Sequence, residues 1–257
     1  MRAMRKSLVV GCVDRIDTIT YMSEMIRANT VLPAVRTPIN VRTSDGFNLV
    51  GEVAGPLGES IGVILCLHPL PTAGGMMDSH LFKKAANRLP ALAGITVVRF
   101  NTRGTTSDAG TSQGHFDNGV SEGLDVQAML SYCFDELKLS NLWVVGWSFG
   151  TDLAIQHAKD SRHKGLILLS PPLRTSTPEQ LQYWNSDSRP VIALVPEYDE
   201  FLPPAKARER FAPMKNVEII AVDEAKHLWI GEPSVYRVLT EIVTRVAPER
   251  LPLPKEF

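Results

Sequence analysis

Apolar positions along the chain fall into two regimes. Six short, nearly continuous runs read as strands buried on both faces: Gly62–His68 (GVILCLH), Ile95–Phe100 (ITVVRF), Leu142–Trp147 (LWVVGW), Gly165–Ser170 (GLILLS), Val191–Val195 (VIALV) and Val217–Val222 (VEIIAV). Between them apolar residues recur at helical spacing. Leu81, Phe82, Ala85, Ala86 and Leu89 mark a helix over Ser79–Leu92, and Leu124, Ala128, Leu130 and Leu137 mark one over Val120–Leu137. Further helices are expected over Phe149–Lys159, Pro204–Phe211 and Ser234–Val246. Ahead of the first run, Val35–Arg42 and Phe47–Val53 flank Thr43-Ser44-Asp45-Gly46, and an Asp-Gly turn between two β-like runs reads as a hairpin. Strand–helix alternation predicts an α/β fold, a mostly parallel central sheet of about eight strands with helices on both faces and the hairpin at one edge. No internal repeat or linker divides residues 36–257, which read as one domain. Residues 1–35 read as an N-terminal extension, and Ala247–Phe257, with three prolines, as irregular.

Charge and composition narrow the function. Lys and Arg total 27 against 28 for Asp and Glu, a net charge of −1 that leaves no electrostatic footprint for nucleic acid. No apolar stretch approaches the ~18 residues of a membrane span. The three cysteines, Cys12, Cys66 and Cys133, form no CxxC pair, which points away from a disulfide framework or zinc site and toward a reducing, cytoplasmic setting. Arg2, Arg5 and Lys6, with Val9-Val10-Gly11 before Cys12, sketch a lipoprotein-type signal. Its apolar run is too short for one, and Met22 or Met25 offers an alternative start. His115 and Asp117 lack a third partner at metal spacing, and no phosphate-binding glycine motif occurs, so neither a metal nor another cofactor is expected.

The sharpest chemical signal is Gly146-Trp147-Ser148-Phe149-Gly150, set between a buried run and a helix. That is the context of a G-x-S-x-G nucleophile elbow, in which a strained turn lifts a serine hydroxyl above the strand ends and the following helix directs free N–H groups at it. The elbow and the order of the elements together resemble the α/β-hydrolase superfamily, in its lidless serine hydrolase or esterase branch, over roughly residues 36–246.

The resemblance implies Ser148 as nucleophile, with an acid and then a histidine following in the chain. His227, in the loop after the last strand, takes the place of the base among six histidines. The acid belongs to the loop after Val191–Val195, where Asp199 is the choice and Glu197 the runner-up. Two backbone N–H groups are implied for the oxyanion, those of Phe149 and Leu70. Leu70 is the only donor between Pro69 and Pro71, in a His-Pro variant of the family's loop. His68 braces that loop or lines the substrate pocket, and Trp229 is expected on the pocket wall. Arg103, in the polar loop Asn101–Asn118, either braces that loop or meets an anionic substrate group. Only twenty residues, Pro171 to Pro190, separate the fourth and fifth parallel strands, room for one short helix but not a cap domain. The expected function is a serine hydrolase cleaving a carboxylic ester or related acyl bond of a small-molecule substrate. Acyltransferase, thioesterase or peptidase activity on the same residues, or a non-catalytic ligand-binding role, are the alternatives. The sequence leaves the oligomeric state open.

Overall fold

The Asp-Gly turn closes the expected hairpin. Strands β1 (Val35–Arg42) and β2 (Asn48–Gly55) pair antiparallel, from Val35 opposite Gly55 to Arg42 opposite Asn48, around Gly46 at φ +94°. The computed structural model describes residues 23–257; the readings on Cys12, on the segment before it and on Met22 lie outside the described residues. Alternation follows from there: β3 (Gly62–Leu67), α1 (His80–Ala93), β4 (Ile95–Phe100), a small hairpin of β5 (Thr106–Ser107) and β6 (Gly110–Thr111), then α2 (Glu122–Ser131). The second half holds β7 (Leu142–Trp147), α3 (Phe149–His157), β8 (Leu166–Leu169), α4 (Pro178–Ser186), β9 (Val191–Tyr198), α5 (Pro204–Phe211), β10 (Val217–Lys226) and α6 (Glu232–Val246).

Eight strands form one sheet in the order β1-β2-β4-β3-β7-β8-β9-β10. β2 is antiparallel to β4, and every later pairing is parallel. All residues of β3, β4 and β7 are buried, because helices cover both faces. Alternate residues of each strand serve opposite faces. Val63, Leu65 and Leu67 pack with α2 and α3 through Val126, Met129 and Leu153, whereas Ile64 and Cys66 pack with α1 and α6 through Phe82, Leu89 and Leu239.

Four local departures from the sequence reading have physical reasons. β9 and β10 run past Val195 and Val222 on exposed polar residues, which pair by backbone where no apolar pattern announces it. The helix expected over Val120–Leu137 changes at Tyr132 into a wider π turn that ends at Glu136. The polar loop after β4 is ordered by hydrogen bonds, with Ser112 Oγ donating to Asn101 O and accepting from Val50 N–H. The tail after α6 is not wholly irregular, since Phe257 and Glu24 exchange two backbone hydrogen bonds of 3.0 Å. Between β8 and β9, α4 is the one helix; its start is fixed by a capping box in which Thr177 and Gln180 bond each other's backbone. Among the described residues no helix is long and apolar enough to cross a membrane.

Candidate active site

Ser148 occupies the turn from β7 into α3 at φ 52° and ψ −119°, a conformation that side-chain-bearing residues rarely adopt. Its N–H donates to Leu169 O at 2.9 Å, and its carbonyl accepts the N–H and the hydroxyl of Thr151 at 2.8 and 2.7 Å. Close packing dictates the flanking glycines. A Cβ on Gly146 would stand 2.4 Å from Gly150 O, and one on Gly150 would stand 2.0 Å from Leu67 O. Strand, turn and helix can approach this closely only with hydrogen at both positions.

The far ends of β9 and β10 supply the partners. After an irregularity between Val222 and Lys226, Lys226 pairs with Tyr198, so the next residues, Asp199 and His227, emerge side by side. His227 Nδ1 lies 2.9 Å from Asp199 Oδ2, and His227 Nε2 lies 2.9 Å from Ser148 Oγ. The other carboxylate oxygen, Asp199 Oδ1, accepts the N–H groups of Phe201 and Leu202 at 2.9 and 3.1 Å. A carboxylate only accepts, so the Nδ1 proton points at Asp199 and the Nε2 lone pair faces the serine hydroxyl. Asp199 and His227 are buried, whereas Ser148 is half-buried. Glu197 lies outside this row: it is exposed and accepts the N–H of Glu224 at 2.8 Å.

Residues that the sequence did not single out hold His227 in place. Its carbonyl accepts Trp147 Nε1–H at 3.2 Å and Ser170 Oγ–H at 2.9 Å, and the carbonyl of Leu228 accepts His80 Nε2–H at 2.7 Å. No short motif marks Ser170 or His80, because the loop they fasten is distant in sequence.

Ser148 opens into a cavity of about 440 Å³ walled by Leu70, Phe116, Phe149, Phe201 and Leu228 among others. Trp229, expected on the wall, and His68, expected to brace the loop or line the pocket, both lie off the cavity wall. Trp229 is fully buried on the α1–α6 side of the sheet, turned inward by a tight turn in which its N–H donates to Lys226 O at 2.9 Å. Its neighbour Leu228 faces the cavity instead. His68 is also buried, and both its ring nitrogens are occupied within the fold. Nε2 accepts Thr102 N–H at 3.0 Å, and Nδ1–H donates to Pro69 O at 2.7 Å. Burial pulls its pKa down to about 4, against the bond to Pro69, so the ring is neutral near pH 7.

That bond orients a peptide plane. The Pro69 carbonyl and the Leu70 N–H belong to one trans peptide and point in opposite directions. The Leu70 carbonyl accepts the N–H groups of Ala73 and Gly75 at 3.0 and 2.9 Å, which closes the loop. Among the described residues the Leu70 N–H has no hydrogen-bond partner, and the Phe149 N–H, at the first position of α3, has none within its helix.

Arg103 is committed to the fold. It donates to the buried Asp125 through Nε and Nη2 at 3.0 and 2.7 Å and to Asp45 through Nη1 at 2.9 Å. Asp199, Glu200 and His227 present three potential metal ligands within 4.8 Å of one another. The set fits a metal poorly, because Asp199 and Ser148 already engage both nitrogens of His227.

No protein-family model matches the chain. A stretch of 130 residues is 35% identical to an uncharacterized protein of Rickettsia prowazekii (strain Madrid E), covering 49% of this chain and 51% of that one. The match thus spans about half the length of the curated relative. Solved structures are similar over most of their length. An α/β serine hydrolase homologue from Coxiella burnetii superposes with a TM-score of 0.68 at 25% identity, covering 82% of this chain and 97% of that one. An α/β serine hydrolase without a lid from Xanthomonas campestris gives 0.68 at 24% identity, covering 88% and 100%. An esterase from Pyrococcus furiosus gives 0.66 at 20% identity, covering 83% and 93%. With this sheet order, the turn at Ser148 and a single short helix between β8 and β9, the chain has the α/β-hydrolase fold in its lidless form.

Proposed function

We propose that the chain is a serine hydrolase that cleaves a carboxylic ester or related acyl bond by way of an acyl-enzyme. The observation that carries this reading is the continuous row from Ser148 Oγ through His227 to Asp199, with 2.9 Å at each step. Ser148 Oγ attacks the acyl carbon while its proton passes to His227 Nε2. Asp199 holds the Nδ1–H tautomer and stabilises the imidazolium. The backbone N–H groups of Phe149 and Leu70 receive the developing oxyanion; a donor of this kind contributes roughly 10²–10³ in rate. The imidazolium then gives its proton to the leaving oxygen, and water, deprotonated by the same nitrogen, releases the acid. This sequence of steps needs no cofactor.

His68 acts as a positioning residue for Leu70 in this scheme, through the Pro69 carbonyl. The apolar walls and the absence of a cap between β8 and β9 fit a small or flexible acyl substrate that reaches the site from solvent. Cys66 and Cys133 are free thiols buried in the core, which fits the reducing cytoplasm as the place of action. One of the similar structures is that of an esterase, which agrees with an ester substrate. The test is turnover of p-nitrophenyl esters from acetate to decanoate. Wild type should release nitrophenolate with an initial burst that titrates active enzyme, and Ser148→Ala should show neither burst nor turnover above background.

A further inference from the structure

Arg174 is the cation of the Ser148 cavity. The cavity's other charged wall residues are Asp152, Glu200 and, when protonated, His227. Asp152, buried in the first turn of α3, is consumed by the chain after β8. It accepts the N–H groups of Arg174, Thr175 and Ser176 at 3.3, 3.3 and 2.9 Å and the hydroxyl of Ser176 at 2.5 Å. On the other side of Arg174, Arg210 Nη2 donates to Leu173 O at 2.9 Å. The backbone that presents Arg174 is therefore pinned from both directions.

The side chain is placed but not spent. Its guanidinium lies over the ring of Phe201, 5.2 Å from the centroid, and that ring meets the His227 imidazole edge-on with centroids 4.6 Å apart. A cation is thus set one aromatic ring away from the imidazole that touches Ser148. Among the described residues the Arg174 side chain makes no hydrogen bond and no ion pair, not even with Glu200. Arg103, by contrast, is fully engaged by Asp125 and Asp45.

We infer that Arg174 binds an anionic group, a carboxylate or phosphate, on the substrate whose acyl carbonyl meets Ser148. This rests on the serine hydrolase reading. The planar guanidinium matches the two oxygens of such a group, and stacking on Phe201 orients it before binding. Arg174 and Phe201 are exposed to solvent, so the attraction is partly screened and depends on salt. The anion belongs to either the acyl or the leaving part of the substrate, and the test separates the two.

Two matched ester pairs read this. Monophenyl glutarate against phenyl valerate places the charge on the acyl part; 4-(butyryloxy)benzoate against its methyl ester places it on the leaving part. For each pair the ratio of kcat/KM, anionic over neutral, is measured in wild type, Arg174→Ala, Arg174→Lys and Arg174→Glu. Enzyme concentration is normalised to Ser148 titrated by a neutral fluorophosphonate. In one of the pairs the ratio should fall at least roughly tenfold in Arg174→Ala, further in Arg174→Glu, and least in Arg174→Lys. The wild-type preference should shrink at high salt. Ratios that are the same in all four proteins for both pairs, with labelling intact, overturn the inference alone. A wild type that does not label overturns the serine hydrolase reading, and the inference with it.

Discussion

His68 accepts the backbone N–H of Thr102 at 3.0 Å, and this contact decides which ring nitrogen carries the proton. With Nε2 accepting, Nδ1–H is free to donate to Pro69 O, and the peptide between Pro69 and Leu70 is held in one orientation. A side chain with no access to substrate thereby sets the direction of a donor in the proposed oxyanion site.

Replacing His68 separates this role from binding. His68→Ala should lower kcat by about 10- to 100-fold with little change in KM, because a donor used in the transition state is misaligned. It should also cost about 1–3 kcal/mol of stability, since Thr102 N–H is left buried without a partner. Steady-state kinetics on a neutral ester, with urea unfolding alongside, check both. A rise in KM at constant kcat would instead place His68 in substrate binding.

Acid should destabilise the fold in a defined window. Burial lowers the pKa of His68 to about 4, and burial together with the charge of Arg189 does the same for His163. Unfolded histidines titrate near 6.5, so between pH 6.5 and 4 the unfolded chain binds protons that the folded one refuses. Stability is unaffected by these groups above that window and falls as pH drops through it, by about 2 kcal/mol for each histidine at pH 5. Asp45, Asp160 and Asp187, each held below the ordinary carboxylate range first by hydrogen bonds from arginine, lose their contribution only at lower pH. Urea unfolding across pH 8 to 4 should show the first decline well above the carboxylate range.

The two carboxylates of the β9 loop make opposite expectations. Asp199→Asn removes the acceptor that fixes the His227 tautomer and should cut kcat by about 10⁴-fold. Glu197→Gln alters an exposed side chain bonded to Glu224 N–H and should change kcat/KM by no more than about twofold. Comparable losses in the two variants would contradict the assignment of the acid.

What the sequence made legible follows from burial. β3, β4 and β7 are covered on both faces, so their apolar runs are continuous and their bounds are readable to within a residue or so. The elbow is legible because sterics at Gly146 and Gly150 leave no alternative residue. The ends of β9 and β10 were not, since Glu197, Tyr198, Asp223 and Glu224 are exposed and the register breaks after Val222, resuming only where Lys226 meets Tyr198. Trp229 and Leu228 illustrate a second limit. Adjacent residues in one tight turn face opposite ways, and hydrophobicity would have placed the larger one at the substrate. Arg174 escaped notice for a third reason: its position depends on Asp152 and Phe201, from two other segments, and no local pattern encodes that meeting.

The most direct test of the proposed chemistry is covalent capture of the nucleophile. Wild type incubated with a fluorophosphonate should gain one adduct, mapped by peptide mass spectrometry to Ser148. Ser148→Ala should gain none, and His227→Ala should react far more slowly. An adduct on another residue, or equal labelling of wild type and Ser148→Ala, would contradict the account.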